Sequence, residues 1–295
     1  MKIVKTLEAS YKHDSEKWKL NGPIPTEDYK FTILLDDDHL IEVGVFCVKS
    51  QGCIEYHACI STQVGCKFGC RMCSSGKNGF FRNLTSQEIL DEIKLLEDYI
   101  GCTQLDQILF MGIGEPLDNY DNFIDALKKL THYSGRLSFA TVGLPDKFIK
   151  LSKEYLPKLK MVWVSLHASV DDKRSLIMPV NRSFKIAAVL NSAKEFALIT
   201  TARVWINYLL FQGFNDSTED AKSLVKLMKD SEGYFKVQIS KPNNNFSGYE
   251  ASTGLQLRLF ENKLKSLGLK NETFCFEASG TDVDAGCGQF IYLVK

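Results

Sequence analysis

The chain has 295 residues, enough for one large domain or two small ones. At 44% hydrophobic and 24% charged it can bury a sizeable core, and 7 Pro with 20 Gly exclude collagen-like or low-complexity character. Thirty-six basic side chains balance 36 acidic ones, so no global positive field draws it onto nucleic acid, and any such contact must use a local patch.

No apolar run reaches the ~18 residues of a membrane helix. The start, Met1-Lys2-Ile3-Val4-Lys5, turns polar too soon for a signal peptide, so the expected compartment is the cytoplasm. Thiols stay reduced there. Nine cysteines are present, six of them between 47 and 73, an odd number that fits metal or redox work better than a disulfide framework.

Residues 1 to about 29 are polar and weakly periodic. Strand-like runs follow at 31–35, 40–48 and 55–60, with the acidic turn Asp36-Asp37-Asp38 between the first two. The stretch 65–79 is an irregular Gly/Cys-rich loop. Thr85-Ser86-Gln87-Glu88 then has capping-box spacing, and apolar residues at 89, 90, 93, 95, 96 and 100 keep a helical period. Beyond it strands and helices alternate. Strands are expected near 106–111, 137–142, 161–166, 203–210, 234–239 and 272–277, and helices near 119–131, 184–198, 217–229 and 254–266. Near-continuous apolar runs such as Met161-Val162-Trp163-Val164-Ser165-Leu166 predict a parallel sheet buried on both faces, with Trp163 and Trp205 in the core. The expected fold class is α/β: repeated βα units imply a barrel or an open sheet, and six units, too few for an eight-unit barrel, point to a partial (β/α)6 barrel. A short N-terminal β extension over 1–50 precedes a catalytic domain over 51–295.

The sharpest signal is Cys66-Lys67-Phe68-Gly69-Cys70-Arg71-Met72-Cys73, a C-x3-C-x2-C cluster. Three thiolates on a Gly-containing loop can hold three irons of a 4Fe-4S cubane and leave the fourth iron for a substrate's amino and carboxylate groups. A zinc site and three structural thiols are the alternatives; closed structural zinc sites take four ligands. Lys67, Arg71, Lys77 and Arg82 around the loop are candidates for phosphate contact or plain solvated charges. Phe80 and Phe81 are candidates for base stacking or for packing over the cluster.

The spacing resembles the radical S-adenosylmethionine superfamily. The flanking residues narrow it: Cys59-Ile60-Ser61-Thr62-Gln63-Val64-Gly65 before the loop, Gly79-Phe80-Phe81-Arg82-Asn83-Leu84-Thr85 after it, Gly112-Ile113-Gly114-Glu115-Pro116, Ser165-Leu166-His167, and Gly286-Cys287-Gly288-Gln289. Together, from about Leu40 to Phe290, they resemble the RlmN/Cfr family of 23S rRNA adenine C2/C8 methyltransferases. The resemblance implies a methyltransferase of class EC 2.1.1 that acts on an adenine carbon in rRNA or tRNA. Its cofactors would be a 4Fe-4S cluster and S-adenosylmethionine, its reductant a flavodoxin-type donor, and its state a monomer off the membrane. The same chemistry on a free nucleotide or small molecule is the alternative.

The resemblance also assigns residues. Cys66, Cys70 and Cys73 would hold the cluster. Gly114, Glu115, Ser165, Leu166, His167 and Asn243 would bind S-adenosylmethionine. Cys287 would carry the methyl group, Cys59 would resolve the covalent RNA adduct by forming a disulfide, and Glu42 would remove a proton from it. Read alone, Cys59 and Cys287 are small buried apolar residues, His167 a core histidine and Glu42 an exposed strand carboxylate. The chain departs from the family at Phe276-Glu277-Ala278-Ser279, where arginines are usual, and at Ala140, where a serine is usual. Asn243 in Lys241-Pro242-Asn243-Asn244-Asn245 matches only loosely, and some thirty residues stand where an N-terminal helical domain is usual.

Overall fold

The structure is a computed structural model that describes residues 1–9, 27–50, 53–243 and 248–293. It forms two compact units. One comprises Met1–Lys67, Ser75–Ser138 and Ala278–Lys295; the other comprises Phe68–Ser74 and Phe139–Glu277.

In the first unit β1 (Lys2–Glu8), β2 (Tyr29–Leu34), β3 (Leu40–Ser50) and β4 (Cys53–Ile60) form an antiparallel meander. The turn from β2 to β3 is the acidic one, with Asp38 left-handed at φ 69°. β5 (Gln63–Gly65) pairs with β6 (Phe80–Asn83) around the cysteine loop. Helix α1 (Ser86–Ile100) begins at Thr85, which exchanges side-chain and backbone hydrogen bonds with Glu88, and ends at Gly101 in the left-handed region. β7 (Gln107–Phe110) then lies parallel to β4, and α2 (Tyr120–Lys129) packs on α1. β8 (Arg136–Thr141) gives residues to both units.

The second unit has four parallel strands: β9 (Leu159–Ser165), β10 (Arg203–Leu209), β12 (Phe235–Ser240) and β14 (Thr273–Phe276), in the order β9-β10-β12-β14. A small pair, β11 (Phe211–Gln212) and β13 (Glu250–Ala251), lies beside them. The helices are α3 (Pro145–Leu151), α4 (Asp171–Ile177), α5 (Ile186–Ile199), α6 (Thr218–Met228) and α7 (Gly254–Ser266). Ser217 with Asp220 caps α6, and Thr253 with Gln256 caps α7. No helix among the described residues is long and apolar enough to cross a membrane.

Three features differ from the sequence expectations. β1 is an added strand, an edge strand whose mostly exposed side chains leave no clean alternation. Helices α3 and α4 have seven residues each, too short for a 3.6-residue period to register. On β9, β10 and β12 one face is fully buried, by Val162, Val164, Val204, Ile206, Val237 and Ile239, whereas the other face is buried only in part, at Gln238 and Ser240. The other face carries Trp163 and Trp205, half-buried and stacked with ring centroids 6.3 Å apart. They are not core residues. Trp163 donates its indole N–H to Gln238, 2.8 Å away, a polar partner that an apolar interior would lack.

Glu92 on α1 is fully buried, and its Oε2 accepts the Ser61 N–H at 2.8 Å. Its Oε1 has no partner among the described residues. Burial pushes this carboxyl well above the ordinary glutamate range, so folding holds the proton that the unfolded chain gives up. Stability from this group is full below the unfolded value and is lost as pH rises. Glu92→Gln keeps the acceptor and removes the titration. Its stability advantage over the parent should therefore be near zero at about pH 4 and grow by about 1.4 kcal/mol per pH unit above that until the native carboxyl ionises. Thermal melts between about pH 4 and pH 8 check this; a constant offset would refute it.

Candidate active site

In the first unit, β4 ends at Ile60 and the chain turns through Ser61-Thr62-Gln63. Backbone groups released at this strand end find side-chain partners. Ser61 Oγ donates to the Glu42 carbonyl at 3.0 Å and accepts the Ile113 N–H at 2.9 Å. Gln63 Oε1 accepts the Glu115 N–H at 2.9 Å, while its Nε2 donates to Asn83 and Asp118 at 2.8 and 3.0 Å. Gly114 sits at φ 105°, and a Cβ there would lie 2.6 Å from the Gln63 side chain. Only glycine allows that approach. Glu115 is buried, with Oε1 accepting the Leu117 N–H at 3.1 Å.

Cys59 lies in β4 and is buried; Cys287 is exposed. Cys287 stands at the tip of a turn closed by Gln289 N–H donating to Gly286 O at 3.0 Å, with Gly288 at φ 78°. The Gln289 side chain braces this turn by accepting the Gly286 N–H at 2.8 Å and donating to Asp284 at 3.1 Å. Cys287, 228 positions away in sequence, comes near enough to act on the Cys59 thiol. Burial first, and then the neighbouring Cys287, pushes the Cys59 thiol well above the ordinary range. Glu42 joins the same region. It is buried rather than an exposed strand residue, with Oε1 2.9 Å from Lys30 Nζ and Oε2 accepting the Ile291 N–H at 2.9 Å.

In the second unit, Ser165-Leu166-His167 leaves the carboxyl end of β9, the edge where parallel α/β folds place ligands. His167 is buried at φ 55°. Its Nδ1 accepts the Leu209 N–H at 3.1 Å, so the ring proton is on Nε2. Burial, with Arg174 nearby, lowers its pKa to about 3 and keeps the imidazole neutral. Asn215 holds the turn by donating to the carbonyls of His167 and Leu209 at 2.8 and 2.7 Å.

Arg174 on α4 is fully buried and was not singled out from the sequence. It donates to the carbonyls of Leu166, Ser165 and Val142 at 3.1, 2.9 and 2.7 Å and to Asn181 Oδ1 at 2.9 Å. Burial lowers its pKa to about 10, and Cys70 lies near enough to oppose that shift. Asn243 is half-buried at the end of the described stretch after β12. Ser61, Gln63, Arg174 and Asn215 carry no motif chemistry, and only Ser61 and Gln63 lie inside a recognised stretch.

Cys66, Cys70 and Cys73 are half-buried thiols. The Cys73 N–H donates to the Cys70 carbonyl at 3.0 Å, a tight turn, and the Cys66 N–H donates to Gly79 O at 2.9 Å. Among the described residues no three His, Cys, Asp or Glu side chains are grouped so that they could hold a metal ion. Three half-buried thiols on one short loop are one ligand short of a closed zinc site and suit an iron–sulfur cluster that leaves one iron free of protein.

Of the flanking basic residues, Lys67 pairs with Asp118 at 2.6 Å. Arg82 pairs with Asp37 and Glu88 at 2.6 and 2.8 Å.

A family model described as the radical SAM superfamily matches residues 60–225. The match, the α/β fold and the cysteine loop define a radical S-adenosylmethionine enzyme. The chain is 35% identical over 268 residues to the "Probable dual-specificity RNA methyltransferase RlmN" of Fervidobacterium nodosum, covering 88% of this chain and 74% of that protein. It is 39% identical over 238 residues to the protein of the same name from Pseudothermotoga lettingae, covering 79% and 67%. A solved radical SAM methyltransferase from Sphaerobacter thermophilus matches with a TM-score of 0.81 at 27% identity, over 98% of this chain and 80% of that one. This chain belongs to the RlmN/Cfr-like family of radical S-adenosylmethionine methyltransferases.

The Arg174 network yields a direct test. Arg174→Met would leave the carbonyls of Val142, Ser165 and Leu166 without this buried donor. The expected loss is about 3 kcal/mol or more in the denaturant-unfolding free energy. A loss below about 1 kcal/mol would show that water or other donors replace the guanidinium.

Proposed function

We propose that this enzyme methylates an adenine ring carbon in RNA, with Cys287 as the one-carbon carrier and Cys59 as the resolving thiol. The observation that carries the reading is the meeting of a buried thiol and an exposed one in a chain whose only C-x3-C-x2-C loop has the superfamily spacing. The RNA substrate is taken from the printed names of the relatives.

Cys66, Cys70 and Cys73 would hold the 4Fe-4S cluster, and Glu115, Ser165 and His167, with Gly114 giving room, would hold S-adenosylmethionine. When bound, these groups supply the methyl group and a radical able to abstract hydrogen from it. The chain's own residues do the rest. The exposed Cys287 sulfur accepts the methyl carbon and later bonds through it to the base. Cys59 then gives up its proton and attacks the Cys287 sulfur; a disulfide forms, and the bond from that sulfur to the transferred carbon breaks. Its electron pair stays on that carbon, which takes a proton to become methyl, while Glu42 takes the ring carbon's hydrogen as a proton. An external thiol then reduces the disulfide. Burial keeps Cys59 protonated and unreactive until its attack. The neutral His167 would add no positive charge to a site that has to hold the cationic S-adenosylmethionine.

A second reading, the same chemistry on a free nucleotide, is favoured by the zero net charge and by the internal pairing of Lys67 and Arg82. A labelled-methyl assay with ribosomal RNA, transfer RNA and free adenosine nucleotides decides between them. Label in RNA is expected; label confined to free nucleotides would select the second reading.

Two further outcomes test the roles. Anaerobic reconstitution should give a brown protein with about four irons, lost when Cys66, Cys70 or Cys73 becomes Ala. Intact mass should show one added methyl that disappears in Cys287→Ala, while Cys59→Ala should accumulate an RNA–protein adduct. A methyl retained in Cys287→Ala would end the carrier assignment.

A further inference from the structure

The carboxyl-terminal segment is held by an unusual device. It meets β3 at an isolated antiparallel bridge and one side-chain tie: Leu293 N–H donates to the Leu40 carbonyl at 3.1 Å, and Ile291 N–H donates to the Glu42 carboxylate at 2.9 Å. Phe290 packs over Gly44, where a Cβ would lie 2.9 Å from its ring. Positions 40, 42 and 44 share one face of the strand. The intervening carbonyls turn the other way. Phe290 O accepts from Ser75 Oγ at 3.0 Å, and Tyr292 O accepts from Asn78 Nδ2 at 2.7 Å. The segment is thus an extended strap between β3 and the residues that follow the cysteine loop.

One of these four ties is ionic. Lys30, buried on β2, pairs with the buried Glu42 at 2.9 Å. Thr32 is the residue directly opposite Glu42, which places Lys30 on the diagonal and within reach of a long side chain. A buried ion pair is a weak source of stability, because desolvation offsets most of its attraction. A carbonyl would satisfy the Ile291 N–H at far lower cost. What the carboxylate adds is a strong, directional acceptor at one fixed place, four residues from Cys287.

We propose that Glu42 is a positioning residue for Cys287. With Lys30 fixing its carboxylate, Glu42 sets the register of the strap and so the placement of the Cys287 sulfur beside Cys59. This rests on the carrier role given to Cys287 above, but the tie itself is read without cofactor or RNA.

Hydrogen exchange by mass spectrometry on the full chain tests it, with β9 peptides as the control for folding. Glu42→Ala should speed exchange of the 289–293 amides by about tenfold while β9 stays protected. Lys30→Met/Glu42→Gln replaces the charged pair with a neutral one that still offers an oxygen to Ile291, and should restore protection to within about threefold of the parent. Closure of the Cys59–Cys287 disulfide by added oxidised glutathione, read by peptide mapping, should slow by about tenfold in Glu42→Ala and recover with the strap in the double variant. Unchanged exchange in Glu42→Ala would overturn the proposal. So would a double variant whose strap is protected but whose Cys59–Cys287 disulfide still closes slowly, because the strap would then not place the sulfur.

Discussion

The dominant constraint on this molecule is that its strand ends must stay irregular without leaving buried backbone groups unpaired. Functional residues have to leave the strands there, and a buried N–H or C=O without a partner costs about as much as a lost hydrogen bond. Each unit meets the constraint with a small set of buried polar side chains. In the first, Ser61, Gln63 and Asn119 do so. Asn119 alone donates to the carbonyls of both Thr62 and Leu84 at 2.7 Å. In the second, Arg174 and Asn215 collect the carbonyls around Ser165-Leu166-His167. These residues touch no reacting group in the proposed chemistry. They fix the backbone from which Gly114, Glu115 and His167 project, and the positive φ of Gly114 and His167 persists because the surroundings over-determine it.

The two thiols show how burial divides labour between chemically identical groups. Cys59 lies in a central strand, flanked by Gly44 on β3 and Leu109 on β7. Its low-dielectric setting disfavours the thiolate, and thiolate character governs nucleophilicity. Cys287 is at an exposed turn tip whose shape depends on Gly288 and on the Gln289 side chain. In the proposed chemistry the carrier must reach a large substrate, whereas the resolving thiol must stay protonated until the adduct has formed, and an exposed Cys287 beside a buried Cys59 would meet both demands.

Much of this was legible in the sequence, and the part that was not has a common cause. The cysteine loop, the Thr85 cap and the alternation of strands and helices are local patterns, read over windows of eight to about 18 residues. Their elements lie where that reading placed them. The strap was invisible because Glu42 and Ile291 are 249 positions apart, and nothing local marks a strand glutamate as a partner for a distant amide. Arg174 was missed because its helix is too short to show a period and because an arginine is read as surface by default. Trp163 and Trp205 sat in apolar runs that looked buried on both faces, yet one face of that sheet is only half-covered.

The electrostatics of the loop bear on how a polyanion would be met. Lys67 and Arg82 lie close to the cysteines, but Asp118, Asp37 and Glu88 already balance them. A phosphate arriving there must compete with carboxylates in place, so little affinity comes from counterion release at these two positions. The aromatic groups are differently disposed. Phe80 and Phe81 are exposed at the exit from the loop, and Phe81 leans on His39 with ring centroids 3.8 Å apart. With Lys67 and Arg82 internally paired and two rings exposed beside them, this exit from the loop suits an unstacked base better than a duplex backbone. That is also what the proposed chemistry requires, because an adenine ring carbon can reach a sulfur only after the base has left its stack.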